Sequence, residues 1–161
     1  MLRYVSFDIV FQEIPDEVTL AINLSNCPNR CKGCHSAYLM KNIGDALTTE
    51  VLDGWLAKYG SSISCVCFMG GDANPHEIEV LSVYLRDKTG GKLKTGWYSG
   101  KDKLPEGCSL CNFNYIKLGS YIESLGGLDS PATNQRFYRI EKDRMIDMTS
   151  RFQTRRKTAY A

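Results

Sequence analysis

The chain has no long apolar run. None of its 161 residues belongs to a stretch approaching the roughly 18–20 apolar residues that a membrane-spanning helix needs, so no membrane association is expected. A basic N-terminal region followed by an apolar stretch and a small-residue cleavage site is also missing, which speaks against export. Neither sign of charge is in excess: 20 Lys and Arg stand against 18 Asp and Glu, a formal net charge of +2. A balance so close to zero gives no electrostatic footprint for nucleic acid. The one basic cluster, Arg155-Arg156-Lys157, reads as part of a solvated, flexible tail over about 153–161. Internal repeats and low-complexity segments are absent. What remains is the composition of one ordinary domain over 1–161, 43% apolar and 24% charged, long enough to bury a single core.

Cysteine departs from this plainness. There are seven, an odd number, clustered in a way that does not make a secreted disulfide framework. In a reducing compartment clustered thiols bind metal or do redox work, so the expected location is the cytoplasm. Three of them lie in Cys27-Pro28-Asn29-Arg30-Cys31-Lys32-Gly33-Cys34-His35, at C-x3-C-x2-C spacing.

Hydrophobic periodicity places that run. Tyr4 to Phe11 alternates as a strand with Val5, Phe7, Ile9 and Phe11 on one face, and Val18 to Leu24 reads as a second strand leading straight into the cysteines. Thr48 or Thr49 caps a helix whose stripe is Val51, Leu52, Trp55, Leu56 and Tyr59, with Gly60 as its stop. Ile63 to Met69 is a buried strand ending in Gly70-Gly71-Asp72. Asn74-Pro75-His76-Glu77 opens the next helix with a cap, a proline at its first position and a capping-box glutamate. Strands follow at Lys94–Ser99, Tyr115–Leu118 and Phe137–Ile140, with a Gly-, Ser- and Pro-rich loop from Gly126 to Gln135. Strands alternating with helices predict an α/β fold with a mostly parallel sheet. Ligands of such sheets bind beyond the carboxyl ends of the strands, where the cysteine loop and the Gly-Gly-Asp turn would converge.

Three thiols so close together can hold three irons of a [4Fe–4S] cluster, which usually takes four cysteines, and would leave the fourth iron open. The competing reading is a zinc site completed by His35 or a distant cysteine, but zinc knuckles carry C-x2-C pairs at two separated places. Cys65 and Cys67 point to one face of their strand and Cys108 and Cys111 form a C-x2-C pair. The four either hold a second metal or serve as small core residues and a redox pair.

The cysteine loop at the end of an early strand, with Gly70-Gly71-Asp72 after the next, resembles the radical S-adenosylmethionine superfamily. Within it, the loop, the chain length and Asp129-Ser130-Pro131-Ala132-Thr133-Asn134-Gln135-Arg136 are similar to the small activases of glycyl-radical enzymes, those of anaerobic ribonucleoside-triphosphate reductase above all. The resemblance implies a partial (β/α) barrel with an open side that admits a partner's loop. It implies Cys27, Cys31 and Cys34 as ligands of the [4Fe–4S] cluster. It implies S-adenosylmethionine bound by Gly33, Cys34, His35, Gly70, Gly71, Asp72 and Asn134, with no further catalytic residue. The implied reaction is reductive cleavage to a 5′-deoxyadenosyl radical that takes hydrogen from a backbone glycine. The implied partners are the large catalytic subunit of anaerobic ribonucleotide reductase and an electron donor such as flavodoxin or ferredoxin. Another glycyl-radical enzyme or a peptide is the alternative target, and a non-catalytic zinc or iron–sulfur module is the alternative class. Two departures stand out: Gly33 occupies a place that is often aromatic, and Asp72 one that is often glutamate.

Overall fold

A computed structural model describes residues 1–153; the expected tail, with Arg155-Arg156-Lys157, lies outside the described residues but for Gln153. The chain order is β1 (Arg3–Val10), β2 (Thr19–Leu24), β3 (Asp45–Ala46), α1 (Thr49–Tyr59), β4 (Cys65–Met69), α2 (Pro75–Lys88), β5 (Lys94–Tyr98), β6 (Tyr115–Leu118), β7 (Arg136–Glu141) and β8 (Arg144–Asp147). The strands form one sheet in the order β3-β1-β2-β4-β5-β6-β7-β8.

The helices start where their caps dictate. Thr48 accepts a hydrogen bond from the Val51 N–H at 3.2 Å, and Asn74 accepts one from the Glu77 N–H at 3.4 Å with Pro75 next in line. The Glu77 carboxylate receives the Asn74 amide at 2.8 Å and the Leu2 N–H at 2.9 Å, so the cap also ties down the start of the chain.

The partial (β/α) barrel and the mostly parallel sheet are both overturned. The sheet is open and mixed. Only β2–β4, β4–β5 and β5–β6 are parallel, whereas β1–β2, β1–β3, β6–β7 and β7–β8 are antiparallel. The reason lies in the connections. A parallel crossover needs a dozen or more residues, commonly a helix. Within the sheet's centre, α1 precedes β4 and α2 joins β4 to β5, but residues 11–18 and the turn at Lys142-Asp143 are too short to cross over. Residues 119–135 are long enough to cross over but hold no helix to do so, and β7 returns antiparallel to β6; β8 follows alongside β7, and no barrel seam forms to serve as an open side.

The sheet buries two faces. On the first, Leu20, Ile22, Leu24, Val66, Phe68, Trp97, Ile116 and Leu118 pack under Leu52 of α1 and Ile78, Leu81 and Leu85 of α2. On the second, Cys65, Cys67, Tyr115 and Phe137 pack with Ile14 and Phe152, which arrive from outside the sheet. β1 contributes to the first face through Tyr4, Phe7 and Ile9 rather than a strict alternation. Its register slips between Tyr4 and Ser6, a bulge that turns Val5 out of step, and Phe11 is left 69% exposed. No helix among the described residues is long and apolar enough to cross a membrane.

Candidate functional site

The parallel centre sets the site. Asn23, Met69, Tyr98 and Lys117 are register partners in turn across β2, β4, β5 and β6, near the carboxyl end of each strand. Just beyond that row lie the cysteine loop, Gly70-Gly71-Asp72 and Ser99-Gly100. The convergence expected from sequence is therefore real, although the sheet around it is mixed.

The loop is shaped by its backbone. The Asn26 and Cys27 N–H groups donate to the carbonyls of Lys41 and Leu39 at 2.9 Å each, which closes residues 27–39 into a lobe. Within it the chain turns left-handed at Asn26, Arg30 and Gly33. At Gly33 φ is +76°, and a Cβ would lie 2.7 Å from a Glu123 carboxylate oxygen. Glycine at this place is favoured by the left-handed backbone, whereas the Glu123 carboxylate is the end of an exposed, flexible side chain.

Cys27, Cys31 and Cys34 line one cavity of about 160 Å³ together with Gly70, Asp72, Gly100, Lys117, Tyr121 and Gln135. Leu24, Leu39, Met40 and Met69 supply its apolar wall. All seven cysteines are free thiols. No group of three or more His, Cys, Asp or Glu among the described residues can hold a single metal ion. The three thiols therefore share a cavity without closing on one point. A zinc ion would draw its sulfurs to roughly 3.8 Å of one another. A cubane meets its thiolates at separate irons and does not require them to close on one point. The donor set and the apolar wall fit a cluster in this respect.

Asp72 lines the cavity but is heavily engaged. Its Oδ1 accepts from Ser99 Oγ at 2.6 Å, and its Oδ2 accepts from Asn29 Nδ2 at 2.6 Å and the Gly100 N–H at 2.8 Å. It fastens the cysteine loop to the end of β5. Gly70 lines the cavity, and its carbonyl accepts from the buried Trp97 indole at 2.7 Å. Gly71 faces inward instead: φ is +87° and a Cβ would fall 2.5 Å from Ile78 Cδ1.

The remaining expected residues divide. His35 is exposed, with its ring 5.4 Å from that of Tyr121, and lines a neighbouring depression rather than the cysteine cavity. Asn134 donates to the Ser120 carbonyl at 3.0 Å and lines a separate pocket with Arg136 and Tyr138. Its neighbour Gln135 reaches the cysteine cavity. Cys65 and Cys67 are fully buried on the second face, whereas Cys108 packs against the first. The sheet separates the two pairs, so they do not combine into a second metal site. Burial, with Glu79 beside it, pushes the Cys108 thiol up to about 12, which leaves it a poor thiolate.

Sequence reasoning missed Lys117. It is 8% exposed, and its ammonium donates to the carbonyls of Ser99 at 3.0 Å and Gly119 at 2.9 Å. It forms no salt bridge among the described residues. Burial lowers it to about 8, against the pull of Asp72 and the three loop cysteines. The signal was available: a lysine between Ile116 and Leu118 in an otherwise apolar strand is rarely buried without a task. In comparisons with known proteins, no family model, no curated protein and no solved structure matches the chain.

Proposed function

We propose that this protein is an iron–sulfur, S-adenosylmethionine-dependent activase that installs a glycyl radical on the large subunit of anaerobic ribonucleoside-triphosphate reductase. One observation carries the reading: Cys27, Cys31 and Cys34 share a single cavity with Gly70 and the buried Lys117 at the carboxyl edge of the parallel strands. The reading needs no barrel, only this edge.

Cys27, Cys31 and Cys34 would hold a [4Fe–4S] cluster, which when bound supplies the electron for reductive cleavage of S-adenosylmethionine. The chain's own residues do the rest. Leu24, Leu39 and Met69 keep water from the cavity wall, as radical chemistry requires. Lys117 lines the cavity beside the three thiols, and its ammonium can receive a ligand carboxylate. Gly70 exposes backbone where an amino-acid moiety would lie. Asp72, committed to three donors, positions the loop rather than reaching for the ligand's ammonium. The electron would come from flavodoxin or ferredoxin in a reducing cytoplasm, where clustered cysteines stay free thiols.

The test is anaerobic reconstitution with iron and sulfide, then reduction with S-adenosylmethionine. Methionine and 5′-deoxyadenosine are expected, and a glycyl-radical signal once the reductase large subunit is added. Absence of 5′-deoxyadenosine from protein that has loaded iron and sulfide overturns the radical chemistry. Cleavage without a radical on the reductase transfers the activity to another glycyl-radical enzyme or a peptide.

A further inference from the structure

We infer that the Asn29 side-chain amide is a fixed N–H donor to the Cys27 sulfur, aimed by Asp72, and that it raises the reduction potential of the centre held there. The inference rests on the assignment of a cluster to Cys27, Cys31 and Cys34.

Asn29 Nδ2 lies 2.6 Å from Asp72 Oδ2 and 3.6 Å from Cys27 Sγ. A side-chain amide nitrogen carries two hydrogens, one for each acceptor. The opposite flip would set the amide oxygen against a carboxylate, so the chemistry decides which end faces Asp72. Asp72 is itself immobilised by Ser99 Oγ at 2.6 Å and the Gly100 N–H at 2.8 Å. The amide cannot easily swing away from the sulfur.

Gly100 provides an independent observation. A Cβ at this position would fall 2.4 Å from Asn29 Nδ2 and 3.1 Å from Asn29 Cγ. The end of β5 is therefore cut back to the backbone where the amide lies. A polar residue serving only to close the loop would need Asp72 alone. Here the second hydrogen falls on the sulfur of a predicted ligand.

An N–H directed at a thiolate favours the more negative, reduced form of a cluster, and hydrogen bonds to sulfur are among the determinants of its potential. Asp72 then acts as a positioning residue through Asn29, as the outer partners of metal ligands do elsewhere. Its acidity serves the loop's geometry, not a charge contact with substrate.

The experiment uses the full chain, reconstituted anaerobically with iron and sulfide, and a spectroscopic redox titration. Asn29→Leu removes both donors and keeps the branched shape of the side chain. Gly100→Ala keeps the amide but displaces it from its seat. Both variants should load iron and sulfide in the parent's ratio, because the three cysteines remain, and both should show a midpoint more negative than the parent's. Should one variant fail to fold, the midpoint of the other still decides the matter. Loaded variants with the parent's midpoint overturn the role of Asn29 and leave the cluster assignment standing. A parent that takes up iron without labile sulfide overturns that assignment and this inference with it.

Discussion

The Trp97 indole N–H donates to the Gly70 carbonyl at 2.7 Å from within the core. Trp97 is fully buried and stacks on Phe113 with ring centroids 5.7 Å apart. Its hydrogen bond transmits the rigidity of the helix-covered face to the one glycine of the turn that lines the cysteine cavity. Trp97→Phe keeps an aromatic ring but strands that carbonyl and opens a void. The expected cost is roughly 2–3 kcal/mol, read by urea unfolding of the parent and the variant. A cost below about 0.5 kcal/mol would mean that the turn does not depend on the indole.

Gly71 and Gly54 make opposite predictions for the same substitution. At Gly71 the backbone is left-handed, and a Cβ would strike Ile78 Cδ1 at 2.5 Å and Leu24 Cδ1 at 3.0 Å. Gly71→Ala should destabilise by roughly 2–4 kcal/mol. Gly54 is exposed in α1, with nothing within 4 Å of a built Cβ. Gly54→Ala should stabilise by about 0.5–1 kcal/mol through helix propensity. Thermal or urea unfolding of the two variants side by side checks both, and equal effects would contradict the packing described for Gly71.

What the sequence disclosed and what it withheld follow from the range of the forces involved. α1 and α2 were legible because Thr48, Asn74 and Pro75 act within a turn of their own position. β6 was legible to the residue because Tyr115–Leu118 is bounded by polar and glycine neighbours. β3 was not, since two residues carry no period and are strand only by pairing with β1. β8 was not, since Arg144–Asp147 has one short apolar pair and owes its shape to the turn at Lys142, where φ is +49°. Sheet direction depends on how the connections fold back, which periodicity does not encode. In the site, Gln135 reaches the cavity from the loop before β7, whereas its neighbour Asn134 is held away by the Ser120 carbonyl. Which of two neighbouring loop residues lines the cavity is set by such tertiary hydrogen bonds, which the sequence pattern does not encode.

Cys65 and Cys67 give a pH signature. Burial is the main cause that holds both thiols protonated well above their ordinary value of 9.0. An unfolded chain ionises them near that value and the folded chain does not. Above about pH 9 the folded state thus binds more protons than the unfolded state, and stability falls as pH rises. Between pH 8 and 10 the parent should lose roughly 2–3 kcal/mol more than the Cys65→Ala/Cys67→Ala variant, which no longer carries these protons. Urea titrations under reducing, anaerobic conditions at the two pH values measure the difference. Parallel losses in parent and variant would show that the thiols are not shielded as the packing requires.

Lys117 offers the sharpest functional prediction, because among the described residues it is the one cation lining the cysteine cavity. Its ammonium is anchored by the Ser99 and Gly119 carbonyls, and Nζ lies 5.9 Å from the centre of the Tyr98 ring. A methionyl group brings a carboxylate, and a buried ammonium with only neutral acceptors is suited to receive it. Lys117→Met keeps the length and apolar stem of the side chain and removes the charge. The variant should fold and load iron and sulfide as the parent does, since no cysteine is touched. On the proposed function, its retention of S-adenosylmethionine should fall at least tenfold, about 1.4 kcal/mol, in anaerobic equilibrium dialysis of the loaded protein. Undiminished retention would remove Lys117 from ligand binding and leave it the narrower task of closing the end of β6 onto β5.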